Sequence, residues 1–141
     1  MGLNSFLKQN VVEKEHIKIA VSDRFLREDG KPELWELKAI STAENEKLKN
    51  SCTKDVPIPG QRGAYRPEID YNGYLLKLSA SCIVYPDLNN KELQDSYGVM
   101  GAEKVLERML IPGEYTDLLA EIQKINGFDV SLADKVEEAK N

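Results

Sequence analysis

The stretch Asp70–Tyr85, DYNGYLLKLSASCIVY, decides what kind of fold this chain makes. Tyr71, Tyr74, Leu75, Leu78, Cys82 and Tyr85 recur at the spacing of one helix face, whereas Leu76, Leu78, Ala80, Cys82 and Val84 alternate as a strand would. Its length, with Asp70 placed to accept a hydrogen bond from a first-turn amide, favours a buried helix. A third strand, over about 74–84, is the alternative. Taken as a helix, the stretch opens a helical region over about residues 70–140.

Upstream the pattern is that of strands. Ile17, Ile19 and Val21 alternate with His16, Lys18 and Ala20, the period of a strand with one buried face. Glu28-Asp29-Gly30-Lys31-Pro32 supplies turn chemistry, and Leu34 to Ile40 is the second strand. The reading is a β-hairpin over about residues 16–40 with its tip near Asp29-Gly30, because glycine readily takes the positive φ of such a turn. Two strands alone are marginal, so helices or a third strand must cover the apolar face. Before the hairpin, Ser5-Phe6-Leu7 and Val11-Val12 suggest a short helix or arm, too short to persist unless docked. After it, Ser41-Thr42-Ala43-Glu44 is a capping box that opens a helix from about Thr42 to Ser51. Residues 55–67 hold Pro57, Pro59, Pro67, Gly60 and Gly63 and are read as a loop crossing between the hairpin layer and the helices. As a docking loop it would have a functional role as well.

Downstream, helices are expected over about Asn90–Ser96, Ala102–Leu110, Glu114–Asn126 and Leu132–Lys140. Asn89 or Asn90 caps the first and Gly98 closes it in a left-handed conformation. In the third, Tyr115, Leu118, Leu119, Ile122 and Ile125 form one apolar stripe, with Asp117, Glu121 and Lys124 facing away. Gly127 terminates it, and Ser131 caps the last helix. The fold class expected is α+β: an N-terminal β-hairpin layer packed against several short helices, in one domain spanning 1–141.

Composition sets the class. With 141 residues, 41% hydrophobic and 30% charged, the chain has the balance of a soluble globular domain and not of a disordered one. Apolar runs are a few residues long, so no membrane span is expected, and no signal peptide is visible. Charge is uneven. Met1–Leu88 holds 13 basic and 13 acidic side chains, and Asn89–Asn141 holds 6 and 11, so the net charge of -5 lies in the C-terminal third. An acidic helical third repels phosphate backbones, which argues against nucleic acid as a partner. Lys54, Arg62 and Arg66 form a small basic cluster, read as solvated loop charges.

Candidate chemistry is thin. Cys52 and Cys82 lack C-x-x-C spacing and His16 is the sole histidine, so no metal or other cofactor is expected. Glu137-Glu138 and Asp87 with Asp95 are read as solvated helix faces and not as acid/base pairs, which need burial or opposing charges that sequence alone does not show. Ser22-Asp23-Arg24 and Ser96 lack a nucleophile elbow, and Gly60-Gln-Arg-Gly63 lacks the ending of a phosphate loop. No catalytic residue is named, and an enzyme is not expected.

A resemblance carries the function. The strings P-D-L-x-x-x-E-L-Q-D-S-Y-G-V over Pro86–Val99 and M-L-x-x-G-E-Y-x-x-L over Met109–Leu118 resemble the phage tail assembly chaperones of the XkdN-like family, from phages and prophages of Gram-positive bacteria. Val21-Ser22-Asp23-Arg24-Phe25, Asp29-Gly30-Lys31-Pro32, Trp35-Glu36-Leu37 and the closing Glu138-Ala139-Lys140-Asn141 fit the same pattern. The resemblance implies a non-catalytic protein of the host bacterial cytoplasm that binds the tape-measure protein during tail morphogenesis and is absent from the mature virion. The tail-tube protein is a further partner it implies; membranes are not, and weak self-association is instead read from the apolar residues of the short C-terminal helices. A structural tail-completion or tube-associated component is the alternative class. Ala139-Lys140-Asn141 is also compatible with a slippery heptamer, A-AAA-AAC, from which genes of this kind make a longer frameshifted product. Partner-binding candidates are Phe128, Leu132 and Val136, with Leu118, Ile122 and Ile125 on the apolar stripe; for most of that stripe a core role is the better reading.

Overall fold

The structure, a computed structural model, describes residues 2–128. Its architecture is α+β, with two small sheets and five helices among the described residues.

The expected N-terminal hairpin is present. β1 (Ile17–Ile19) pairs antiparallel with β2 (Trp35–Leu37), Ile17 opposite Leu37 and Ile19 opposite Trp35. Trp35 and Leu37 turn into the core while Glu36 between them faces out, where its carboxylate meets His16 Nδ1 at 2.7 Å. The long connection folds on itself. Leu26 bridges Pro32, Arg27 N–H donates to Lys31 O, and Gly30 takes φ 82 at the tip. A non-glycine residue would be strained there.

α1 (Thr42–Ser51) starts at the capping box: Ser41 Oγ accepts from Glu44 N–H at 3.1 Å, and the Glu44 carboxylate returns to the same hydroxyl. The next segment departs from the expected loop. Residues 55–67 fall largely within a second hairpin, β3 (Thr53–Pro57) against β4 (Tyr65–Ile69), so Lys54 and Arg66 lie on paired strands and Arg62 in the turn between them. Prolines did not exclude pairing, because the ladder places them where no inward N–H is needed.

The deciding stretch contains both of its readings in succession. α2 (Tyr71–Cys82) is capped by Asp70, whose side chain accepts from Gly73 N–H at 3.1 Å. It ends at Cys82, and β5 (Ile83–Tyr85) continues directly as the third strand, antiparallel to β2. Two β-branched residues and an aromatic come after the helix, and Pro86 disfavours a helical Tyr85, so the backbone turns extended where the sheet can receive it. Lys38 N–H donates to Cys82 O at 2.8 Å and fixes that junction.

The remaining helices lie close to expectation: α3 (Lys91–Ser96), α4 (Ala102–Met109) and α5 (Pro112–Ile125). Asn90 caps α3 by accepting from Leu93 N–H, and Gly98 lies beyond its end with φ 67. α2 is the central helix, packed against α1, α4 and α5. Tyr74, Leu78 and Cys82, one turn apart, face a core of Trp35, Leu37, Leu88, Val105, Leu106, Met109, Leu118 and Ile122. Each such aliphatic side chain contributes roughly 1.5–3 kcal/mol by leaving water.

The segment before β1 is a correction of a different sort. It forms two short 3-10 turns, Asn4–Phe6 and Lys8–Asn10, and every residue from Gly2 to His16 is exposed. No described residue of the same chain buries it.

Candidate partner-binding surface

The polar groups that carry chemistry in other proteins are used structurally here. Cys82 is buried beside Asn126, whose amide donates to its sulfur at 3.4 Å; burial pushes the thiol pKa up. Asp87 accepts from Asn89 N–H in a local turn, and Asp95 pairs with Lys91. Ser96 donates to Leu93 O within its own helix. Among the described residues no cluster of three or more His, Cys, Asp or Glu side chains stands at metal-binding spacing.

Two of the strings that carry the family resemblance meet in space. Arg24, from Val21–Phe25, reaches Glu114, from Met109–Leu118, through paired guanidinium bonds at 3.2 and 2.5 Å, and it also donates to Met109 O at 2.8 Å. Glu114 accepts from Ile111 N–H at 3.0 Å as well, serving the start of α5 where Ile111 offers no side-chain cap. The Arg24 hydrogen bonds hold the Glu114 carboxyl down at about 2, with Ser22 and the Ile111 amide assisting. Arg24 is raised in turn by the same pairing. Its guanidinium also lies 5.2 Å from the Phe25 ring, which is tilted against Trp35. The clasp therefore locks the hairpin connection onto the α4–α5 junction.

Gln94, in the third string, has a comparable role: it donates to Leu88 O and accepts from Gly101 N–H, tying both ends of the α3 region together. Asn126 closes the opposite side. Its side chain accepts from Ile40 N–H at 3.0 Å and donates to Ile122 O at 2.8 Å, joining the exit of β2 to the end of α5. Sequence pattern marks Asn126 only as the residue before a terminating glycine and gives no sign of this role.

The predicted partner-binding residues separate into three groups. Leu118, Ile122 and Ile125 are 1%, 0% and 4% exposed, so a partner cannot reach them in this fold. Their availability is corrected accordingly: the α5 stripe serves the interior. Phe128 is half-exposed at 51%, just past Gly127 at φ 81, with its N–H donated to Gln123 O at 2.9 Å. Leu132 and Val136 lie outside the described residues, as does the expected helix Leu132–Lys140.

Sequence periodicity missed a cleft of about 610 Å³ between the start of α2, the end of α4 and the start of α5. Buried Leu106 and Leu110 form its floor, half-buried Leu76 and Tyr115 its walls. Exposed Asp70 and Glu107 stand at its margin, and among the described residues no lysine or arginine lines it.

A model of the phage XkdN-like tail assembly chaperone protein family matches residues 3–140. The chain is 31% identical over 140 residues to the phage-like element PBSX protein XkdN of Bacillus subtilis (strain 168), covering 99% of this chain and 93% of that protein. It is equally similar to the uncharacterized protein YqbN of the same strain, with the same identity and coverage. The crystal structure of YqbN matches with a TM-score of 0.78 and 26% identity, over 92% of this chain and 98% of that one. The family model's match along nearly the whole chain, together with a relative 31% identical over 99% of it, leads to one conclusion: the chain belongs to the phage XkdN-like tail assembly chaperone family.

Proposed function

We propose that this chain binds the tape-measure protein of its phage tail before the tube assembles, shielding it without catalysing a reaction. The observation that carries the reading is Phe128, an aromatic left half-exposed at a fixed place. The Gly127 turn and the Gln123 carbonyl hold its backbone. It lies within the acidic C-terminal third, since all of the net charge of -5 lies from Asn89 onward. A long amphipathic client exposes apolar stripes that aggregate. An aromatic anchor in acidic surroundings suits brief contact with such a stripe. Many weak copies along one client hold it by avidity while each contact stays reversible, so incoming tail-tube subunits can displace them in the host cytoplasm.

Co-expression of the chain with the tape-measure protein of the same phage tests this. Soluble client is expected to rise with the wild-type chain and to fall back with Phe128→Asp combined with Val136→Asp, at unchanged far-UV circular dichroism. No gain with the wild type overturns the client assignment. A full gain with the double variant overturns the surface.

A further inference from the structure

We propose that the segment before β1 is the ligand of the α2–α4–α5 cleft on a second copy of the chain, giving head-to-tail self-association. The segment is apolar and uncovered: Leu3, Phe6 and Val12 are 71%, 76% and 93% exposed, with Leu7 and Val11 also exposed. Exposed apolar surface of this extent marks an interaction site. It is also locally organised. Phe6 N–H donates to Leu3 O, Asn10 and Val11 N–H both donate to Leu7 O, and the Asn10 side chain donates to Asn4 O at 2.7 Å. The two turns that carry Leu3, Phe6 and Leu7 are thus formed before any partner arrives. Such pre-organisation lowers the ordering cost of docking.

The cleft has the matching chemistry. Its volume of about 610 Å³ accommodates a few side chains, its floor is Leu106 and Leu110, and its exposed charges are Asp70 and Glu107. Between Gly2 and Val12 the only ionisable side chain is Lys8, next to Phe6-Leu7. An apolar cluster bearing one cation faces an apolar cleft bearing two carboxylates. No residue of Gly2–His16 lines the cleft of its own chain.

Each copy offers one segment and one cleft, so the contact is heterologous and continues from copy to copy unless the rotation closes a ring. Only a few side chains dock, so the interface falls in the small, transient class. Association is therefore concentration-dependent.

Sedimentation velocity on the full chain tests this between roughly 10 μM and 1 mM, where small interfaces assemble. The mean mass of the wild type is expected to rise across that range. Phe6→Asp with Leu7→Asp, on exposed positions, should remain monomeric, and so should Leu76→Glu in the cleft. A mixture of these two variants retains one intact segment and one intact cleft and is expected to form pairs that grow no further. Glu107→Lys, on an exposed position, gives a cleft variant that leaves the core untouched. It should weaken association severalfold and recover it when mixed with Lys8→Glu. A wild type that stays monomeric overturns the proposal, as does a segment variant that associates like the wild type. Failure of the complementary variants to pair, when each is folded by circular dichroism, overturns it too.

Discussion

At the scale of single residues, the Arg24–Glu114 clasp is the most consequential contact in the chain. It joins positions ninety apart in sequence, and its paired geometry is one that lysine cannot reproduce. Because Glu114 is held at about 2 against an ordinary 4.5, the folded state favours its charged form. The stabilisation is fully present above pH 4.5 and is lost as pH falls toward 2. Glu114→Gln is expected to lower the urea midpoint at pH 7 and to flatten its pH dependence between 4.5 and 2, read by circular dichroism. A variant that loses stability over that window as steeply as the wild type would refute the assignment. None of this was legible in sequence. Ser22-Asp23-Arg24 could be examined as a nucleophile candidate and Glu114 as the start of a helix, but a pairing of distant residues leaves no periodic signal. Local contacts did show: Asp70, Ser41 and Asn90 were recognisable as caps because a cap and its amide lie within one turn.

At the scale of elements, the β3–β4 hairpin is the informative departure. Asp70 N–H bonds Cys52 O and Ile58 N–H bonds Ala64 O, so the alternation of the ladder points Thr53, Asp55 and Pro57 outward on one strand and Tyr65, Pro67 and Ile69 outward on the other. Both prolines therefore occupy edge positions, where a missing N–H costs no ladder bond and blunts further pairing. Proline and glycine content alone reads as a loop because it does not reveal which way each amide would point. Both strands are largely exposed, and an isolated two-stranded hairpin is marginal. Amides of β3 and β4 should exchange with deuterium through local opening, well before those of Leu78 and Cys82, which await global unfolding. Equal protection across these elements would show the hairpin to be part of the cooperative core. Tyr65→Ser should change global stability by no more than about 0.5 kcal/mol, whereas Leu106→Ala should cost about 2–5 kcal/mol. The α2–β5 stretch teaches a related lesson. Tyr74, Leu78 and Cys82 gave a true helical signal, whereas of the alternating set Leu76, Leu78, Ala80, Cys82 and Val84 only Val84 lies in a strand, because the helix runs to Cys82 and β5 follows it end to end.

At the scale of the whole molecule, the family identifies a tail assembly chaperone, and the physical organisation bears on how such a protein leaves its task. A permanent tail component needs a large, apolar, mutually complementary interface. Here the core is built from aliphatic side chains, and among the described residues the large apolar ones left outside are scattered: the segment at Leu3–Val12, Leu26 and Leu34, Tyr65 with Ile69 and Tyr71, Val84–Tyr85, Met100, Ile111 and Phe128. Separate small sites of this kind favour contacts that form and dissolve. The acidic C-terminal third adds long-range repulsion between copies. The chain is therefore expected in assembly intermediates and absent from finished particles. Quantitative mass spectrometry of purified virions and of tail-assembly intermediates from the same lysate checks this directly. A fixed stoichiometry in mature particles would make the protein a structural subunit and replace the chaperone reading with that of a tail-completion or tube-associated component. Recovery in the intermediates alone would match surfaces built to release what they hold.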